Sequence, residues 1–202
     1  MQDFNDQYYS TTIRELQLYH KFKSRTFPSF KFGPQENCKQ ILRKAMLDGD
    51  KTIKQLIWIS EYDEVADWLS NTAGKGLLLT GDVGLGKTVI TQYALPILFS
   101  FHMKKVVNRV RSIDLGERFD ELKKKKIIAI DDMGIEAEIN EFGNRYEPIE
   151  RIINIAESEG KILLISSNLN AADIIERYDV RTLDRIKRLC RPIKFQGDSF
   201  RK

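Results

Sequence analysis

The spacing of apolar positions changes character along the chain. Residues 1–55 mix polar and aromatic side chains. Within them Thr11–Lys21 has helical spacing (Ile13, Leu16, Leu18, Tyr19), and Phe27-Pro28 and Gly33-Pro34 then break the chain. A second helical stretch is predicted over Gln35–Leu47, and a third over Glu61–Ser70, with Val65, Trp68 and Leu69 turned inward. From Gly76 short continuous apolar runs take over: Gly76–Thr80, Lys105–Val110, Lys126–Ile130, Lys161–Ser166 and Pro192–Phe195. Amphipathic stretches alternate with them: Lys87–Phe101, Asp114–Lys124, Arg145–Glu159, then Ala171–Tyr178 with Thr182–Leu189. Continuous apolar runs suit strands buried on both faces. Strand–helix alternation predicts a parallel sheet covered by helices. The expected fold class is therefore α/β, a three-layer core in residues 56–202 with its sheet starting at 76, behind a small N-terminal extension, 1–55.

Composition narrows the setting. The 202 residues are 42% hydrophobic and 31% charged, a soluble globular balance. No apolar run approaches the roughly 20 residues that span a bilayer, so no membrane role is expected. The opening MQDFNDQYYS has neither the basic start nor the apolar stretch of a secretory signal. Cys38 and Cys190 lie far apart without metal-ligand spacing, which points to a reducing cytoplasm. A net charge of +4 permits nucleic-acid contact without demanding it.

Directly after the first predicted strand comes Gly81-Asp82-Val83-Gly84-Leu85-Gly86-Lys87-Thr88, followed by Val89. This is the P-loop pattern G-x-x-x-x-G-K-[ST] in full, between a strand and a helix as its mechanism requires. Glycines let backbone N–H groups converge on phosphate oxygens, and the helix start favours the same anion. Lys87 adds charge, and the Thr88 hydroxyl suits Mg²⁺. ATP with Mg²⁺ needs a carboxylate on a neighbouring strand. The run Ile127–Ile130 ends in Asp131-Asp132 and would deliver both acids to the same sheet edge. Asp131 is expected to hold the metal and Asp132 to activate the attacking water as general base. A helix cap with a solvated neighbour is the plainer account of such a pair. The next strand ends in Ser166-Ser167-Asn168, where an amide can orient water or touch the γ-phosphate; a turn-forming Asn-Leu-Asn is the plainer account.

These motifs together resemble a AAA+ ATPase, and within that group the DnaC/DnaI helicase-loader family and the related IstB transposition ATPases. GDVGLGKT (81–88), IAIDDMG (128–134), LLISSNL (163–169), VRTLDRIKRL (180–189) and GDSFR (197–201) carry the resemblance, over roughly Trp58–Lys202. The resemblance implies Walker A at Gly81, Gly86, Lys87 and Thr88, Walker B at Asp131 and Asp132, and a sensor at Asn168. It also implies an arginine finger at Arg185 that acts in a neighbour's site, with Arg181 beside it at i, i+4. A solvated basic helix face is the plainer account of those arginines. The chain stops soon after its last strand, so no helical lid is expected. Asp132 stands where many AAA+ enzymes carry Glu, which suits slow hydrolysis, stimulated by a partner or DNA. The implied function is a replicative helicase loader that binds single-stranded DNA, self-associates with ATP, and holds or opens a hexameric helicase. The alternatives are an IstB-like ATPase acting with a transposase, and a nucleotide-dependent adaptor without appreciable hydrolysis.

Three weaker signals remain. Lys21–Phe32 interleaves four basic residues with four phenylalanines. It could dock the extension on the core, grip a partner helicase, or stack single-stranded nucleic acid. Lys123–Lys126 reads as a solvated loop end, with phosphate contact as the sharper possibility. Trp58, Tyr62 and Trp68 precede the first strand, where AAA+ proteins often contact adenine, but suit the core. His20 and His102 have no metal-ligand company.

Overall fold

The computed structural model describes residues 26–141 and 144–200, together with 10, 11, 14 and 15. Most of the helix predicted over Thr11–Lys21 lies outside the described residues, as do His20 and Arg201. Helices α1 (Gln35–Gly49) and α2 (Ser60–Ser70) precede strand β1 (Gly76–Gly81). One helical run, α3, follows: Lys87–Val89, a π-helical turn Ile90–Ala94, and Leu95–Met103. Then come β2 (Asn108–Arg111), a 3₁₀ turn (Ser112–Asp114), α4 (Phe119–Leu122) and β3 (Ile127–Met133). A hairpin of β4 (Ile139–Glu141) and β5 (Asn144–Tyr146) leads to α5 (Pro148–Glu159) and β6 (Ile162–Ser167). Helices α6 (Ala171–Arg177) and α7 (Val180–Leu189) run into β7 (Cys190–Phe195).

The main sheet has the order β2-β3-β6-β1-β7 and every pairing in it is parallel. Strand alternation explains why its runs are apolar at every position. Leu77, Leu79, Ile127, Ala129, Ile162 and Leu164 enter a core on one face, with α1, α2 and α3. Leu78, Ile128, Ile130, Leu163 and Ile165 enter a second core on the other, with α4 to α7. The architecture is thus the expected three layers.

The described part of the extension belongs to the first core. Cys38, Leu42, Ala45 and Met46 of α1 are buried in it, and Phe30 and Phe32 pack edge-on against Phe99 at 5.1 Å each. Phe27 packs on the second core. These three rings dock the chain before α1 onto the two cores; Phe22 lies outside the described residues.

Helix α3 carries Pro96, which cannot donate to the carbonyl four residues back. That carbonyl, of Gln92, accepts instead from the Arg109 guanidinium at 2.8 Å. The π turn sits just before the proline.

Four differences from the sequence reading have local causes. The stretch expected as a helix over Asp114–Lys124 is a 3₁₀ turn and a single α turn, separated by Gly116. The helix expected from Arg145 starts at Pro148, whose fixed φ suits a first helical position, and residues before it form the β4–β5 hairpin. The strand expected from Lys105 starts at Asn108, because Lys104 closes α3 in the left-handed region (φ 54°) and Lys105 N–H donates to Phe99 O. The acids of β3 are inside the strand, which runs on to Met133. In the lysine run, Lys123 pairs with Asp120 and Lys125 with Glu121, and buried Lys161 caps the carbonyls of Lys123 and Lys125.

Gly76 has no room for a side chain: a Cβ there would run into the Leu163 carbonyl of β6. Gly76→Ala is expected to lower folding stability by roughly 3 kcal/mol, since backbone cannot yield as a side chain can. A urea midpoint equal to wild type would contradict it.

Candidate nucleotide-binding site

The P-loop leaves β1 at the carboxyl edge of the sheet. Gly81, Gly84 and Gly86 hold φ of +105°, +80° and +82°, so the loop turns through conformations that residues with a Cβ rarely adopt. Space as well as φ requires Gly86: a Cβ there would lie 2.7 Å from the Tyr62 hydroxyl. That hydroxyl donates to Leu85 O at 3.1 Å, tying α2 to the loop. Burial, with a smaller effect from Glu61, pushes Tyr62 up to about 12, so it stays a neutral donor. Leu85 is buried as the loop's anchor, while Val83 is exposed. Lys87 is buried and its Nζ donates to Gly81 O and Asp82 O, both at 2.7 Å. The ammonium is thereby held under the loop at the start of α3. One turn on, the Thr91 hydroxyl donates to Lys87 O at 3.2 Å.

Strand β3 brings the two acids to the same edge. The Ser166 hydroxyl donates to the Asp131 carboxylate and accepts from Asp132 N–H at 3.1 Å, so one β6 side chain fixes both acids. The ladder slips between Ile130 and Met133, and Asp132 sits at φ +54°, a strained value for a residue with a Cβ. The slip separates the two fates. Asp131 is buried, whereas Asp132 lines the cleft, with Asn168 Nδ2 3.5 Å from its Oδ1.

The cleft holds about 860 Å³. Gly84, Gly86, Lys87, Thr88, Val89, Asp132 and Asn168 line it together, joining three separate sequence motifs. Its other wall was not legible in the sequence: Met46 and the segment 52–57, with the apolar Ile53, Leu56 and Ile57. Of the three aromatics flagged before β1, only Tyr62 lines the cleft. Trp58 donates to Asp63 and Trp68 is buried, donating to Lys75 O. Phe200 also lines the cleft.

The predicted arginines are elsewhere. Arg185 and Arg181 lie on α7 and line no part of this cleft. Arg185 Nε is 3.4 Å from Glu157 Oε2, and Arg188 shares that carboxylate at 3.1 Å; Arg181 is exposed.

Among the described residues no three His, Cys, Asp or Glu side chains group as a metal cage. Of the two expected donors, the Thr88 hydroxyl lines the cleft, whereas the Asp131 carboxylate is buried against Ser166 and is not among the lining residues. Both are hard oxygens, the donor class that Mg²⁺ takes, usually one or two from protein with the rest from substrate phosphates and water.

Ser166→Ala removes the hydroxyl that fixes both acids and leaves the buried Asp131 carboxylate without that donor. It is expected to cost about 1–3 kcal/mol of stability, measured by urea unfolding. Stability equal to wild type would show that Ser166 does not hold the pair.

Comparison with protein-family models finds no match, and comparison with curated proteins finds none. Solved structures do match. A primosome-assigned protein from Streptococcus pyogenes serotype M3 superposes with a TM-score of 0.57 at 19% identity, covering 83% of this chain and 100% of that one. DnaI superposes at 0.57 and 20% identity, over 82% and 96%. The DnaC helicase loader superposes at 0.57 and 17% identity, over 78% and 99%. These likenesses show that this chain shares the fold of those structures.

Proposed function

We propose that this protein is an ATP-binding DNA-replication factor that acts as a replicative helicase loader. The observation that carries the nucleotide reading is the convergence of the P-loop, Asp132 and Asn168 in one cleft. The helicase reading is supported by the likeness to the DnaC helicase loader.

The backbone of Gly81–Thr88 would wrap the phosphates, and Lys87 would turn its ammonium from the loop carbonyls to the β- and γ-oxygens. Mg²⁺, held through Thr88 and Asp131, would neutralise developing charge on the phosphates. Asp132 would accept a proton from the attacking water, and Asn168, beside it, would orient that water. An Asp in this role reaches less far than a Glu and sits here on a strained backbone. Hydrolysis is accordingly slow, which suits a switch more than a motor.

Arg185 would act in a neighbouring subunit's site, since it lies outside the cleft of its own chain. To reach out it must leave Glu157, which couples self-association to a broken ion pair. Single-stranded DNA is the proposed nucleic-acid partner. A duplex preference with capture of a transposase would instead favour an IstB-like role.

Lys87→Ala is expected to abolish Mg-ATP binding by calorimetry while leaving the fold intact. Arg185→Ala should keep ATP binding and lose hydrolysis at concentrations where the wild type self-associates; normal turnover there would exclude the finger role. For the partner, the chain is used as bait in native lysate with ATP, against the Lys87→Ala protein, and read by mass spectrometry. Recovery of a hexameric replicative helicase supports the loader role, and recovery of a transposase contradicts it.

A further inference from the structure

The segment after β7 is exposed, yet it is fastened to the P-loop and to α2 at successive points. Asp82 N–H donates to Phe195 O at 3.0 Å where β7 ends. Gln196 N–H then donates to Glu61 Oε1 at 3.1 Å and Gly197 N–H to Asp82 Oδ2 at 3.0 Å. Finally Phe200 N–H donates to Gly84 O at 3.2 Å. Ser199 lies so close over Gly84 that a Cβ at 84 would collide with its hydroxyl. Two of the loop's non-glycine and glycine positions, Asp82 and Gly84, are therefore committed to holding this strap as well as shaping the loop. The strap ends by setting Phe200 at the cleft, 37% exposed.

The chemistry of the cleft says what that ring can meet. The phosphate end consists of loop amides, Lys87, Asp132 and Asn168, all polar. The apolar lining is Ile53, Leu56 and Ile57 of the segment 52–57, with Met46 of α1 and Val83 and Val89 flanking the loop glycines and Lys87. An aromatic ring at the cleft's edge belongs with the flat, apolar part of a nucleotide, where stacking is available.

We propose that Phe200 is a nucleoside-contacting residue, and that Gln196–Phe200 is a strap that grips the P-loop and holds this ring over the bound nucleotide. The proposal rests on the nucleotide reading of the cleft and assigns it a closing element drawn from the same chain.

Calorimetry with the full chain tests it, using Mg-ATP and Mg-tripolyphosphate as probes. Lys87→Ala serves as the control for the cleft itself. Phe200→Ala is expected to weaken Mg-ATP about tenfold, in line with loss of one stacked ring, while Phe200→Tyr stays near wild type. Tripolyphosphate, which has no nucleoside, should bind wild type and Phe200→Ala alike. Asp82→Ala should speed amide exchange at Gly197 and Phe200. Mg-ATP affinity in Phe200→Ala within twofold of wild type would overturn the proposal. So would equal weakening of both probes, or failure of Phe200→Tyr to restore binding. If the wild type itself binds no Mg-ATP, the nucleotide reading has failed rather than the strap alone.

Discussion

All five strands of the main sheet run the same way, and the site depends on that single constraint. A parallel ladder puts every strand's carboxyl end on one edge. The P-loop after β1, the acids of β3 and Asn168 after β6 then meet there without any loop having to travel. The close backbone approach of β1 to β6 at Gly76, and the Ser166 bridge from β6 to Asp131 and Asp132, set their spacing. Neighbouring β-strands lie about 4.8 Å apart, so groups on adjacent strands are within reach of one bound triphosphate.

The other constraint is that a parallel sheet must be covered on both faces. The second face is closed by α4 to α7, which include the arginine-bearing helix. The first is closed by α1 to α3, and α1 comes from what composition alone marks as an extension. The described end of that extension, from Phe27 through α1, is structural: its rings seat on Phe99 and the core, and Met46 reaches the cleft wall. The same α1–α2 layer fastens Tyr62 to the loop. Packing and phosphate geometry are therefore one problem here.

Much of this was legible in the residues. Runs such as Ile127–Ile130 and Ile162–Ile165 are apolar at every position because alternate side chains enter different cores. The P-loop is recognisable because phosphate chemistry restricts its residue types so tightly. What was not legible has physical reasons. The β4 and β5 strands are three residues each, too short for any period to show. The cleft wall at Ile53–Ile57 carries no motif, since an apolar wall imposes shape more than residue type. Asp132's left-handed backbone follows from a slip in the ladder, which no local pattern announces. The GDSF segment was visible as a family mark, but its hold on Asp82 and Gly84 arises only because β7 pairs with β1.

The central claim is that a nucleoside triphosphate sits between the P-loop and the ends of β3 and β6. A crystal structure of the full chain with Mg²⁺ and a non-hydrolysable ATP analogue tests it most directly. The account predicts phosphates cradled by the amides of Gly84–Thr88, with Lys87 turned onto them and Asp132 and Asn168 facing the γ-phosphate. Density for the analogue outside this cleft, or none at saturating concentration with Lys87 still on the Gly81 and Asp82 carbonyls, would contradict it.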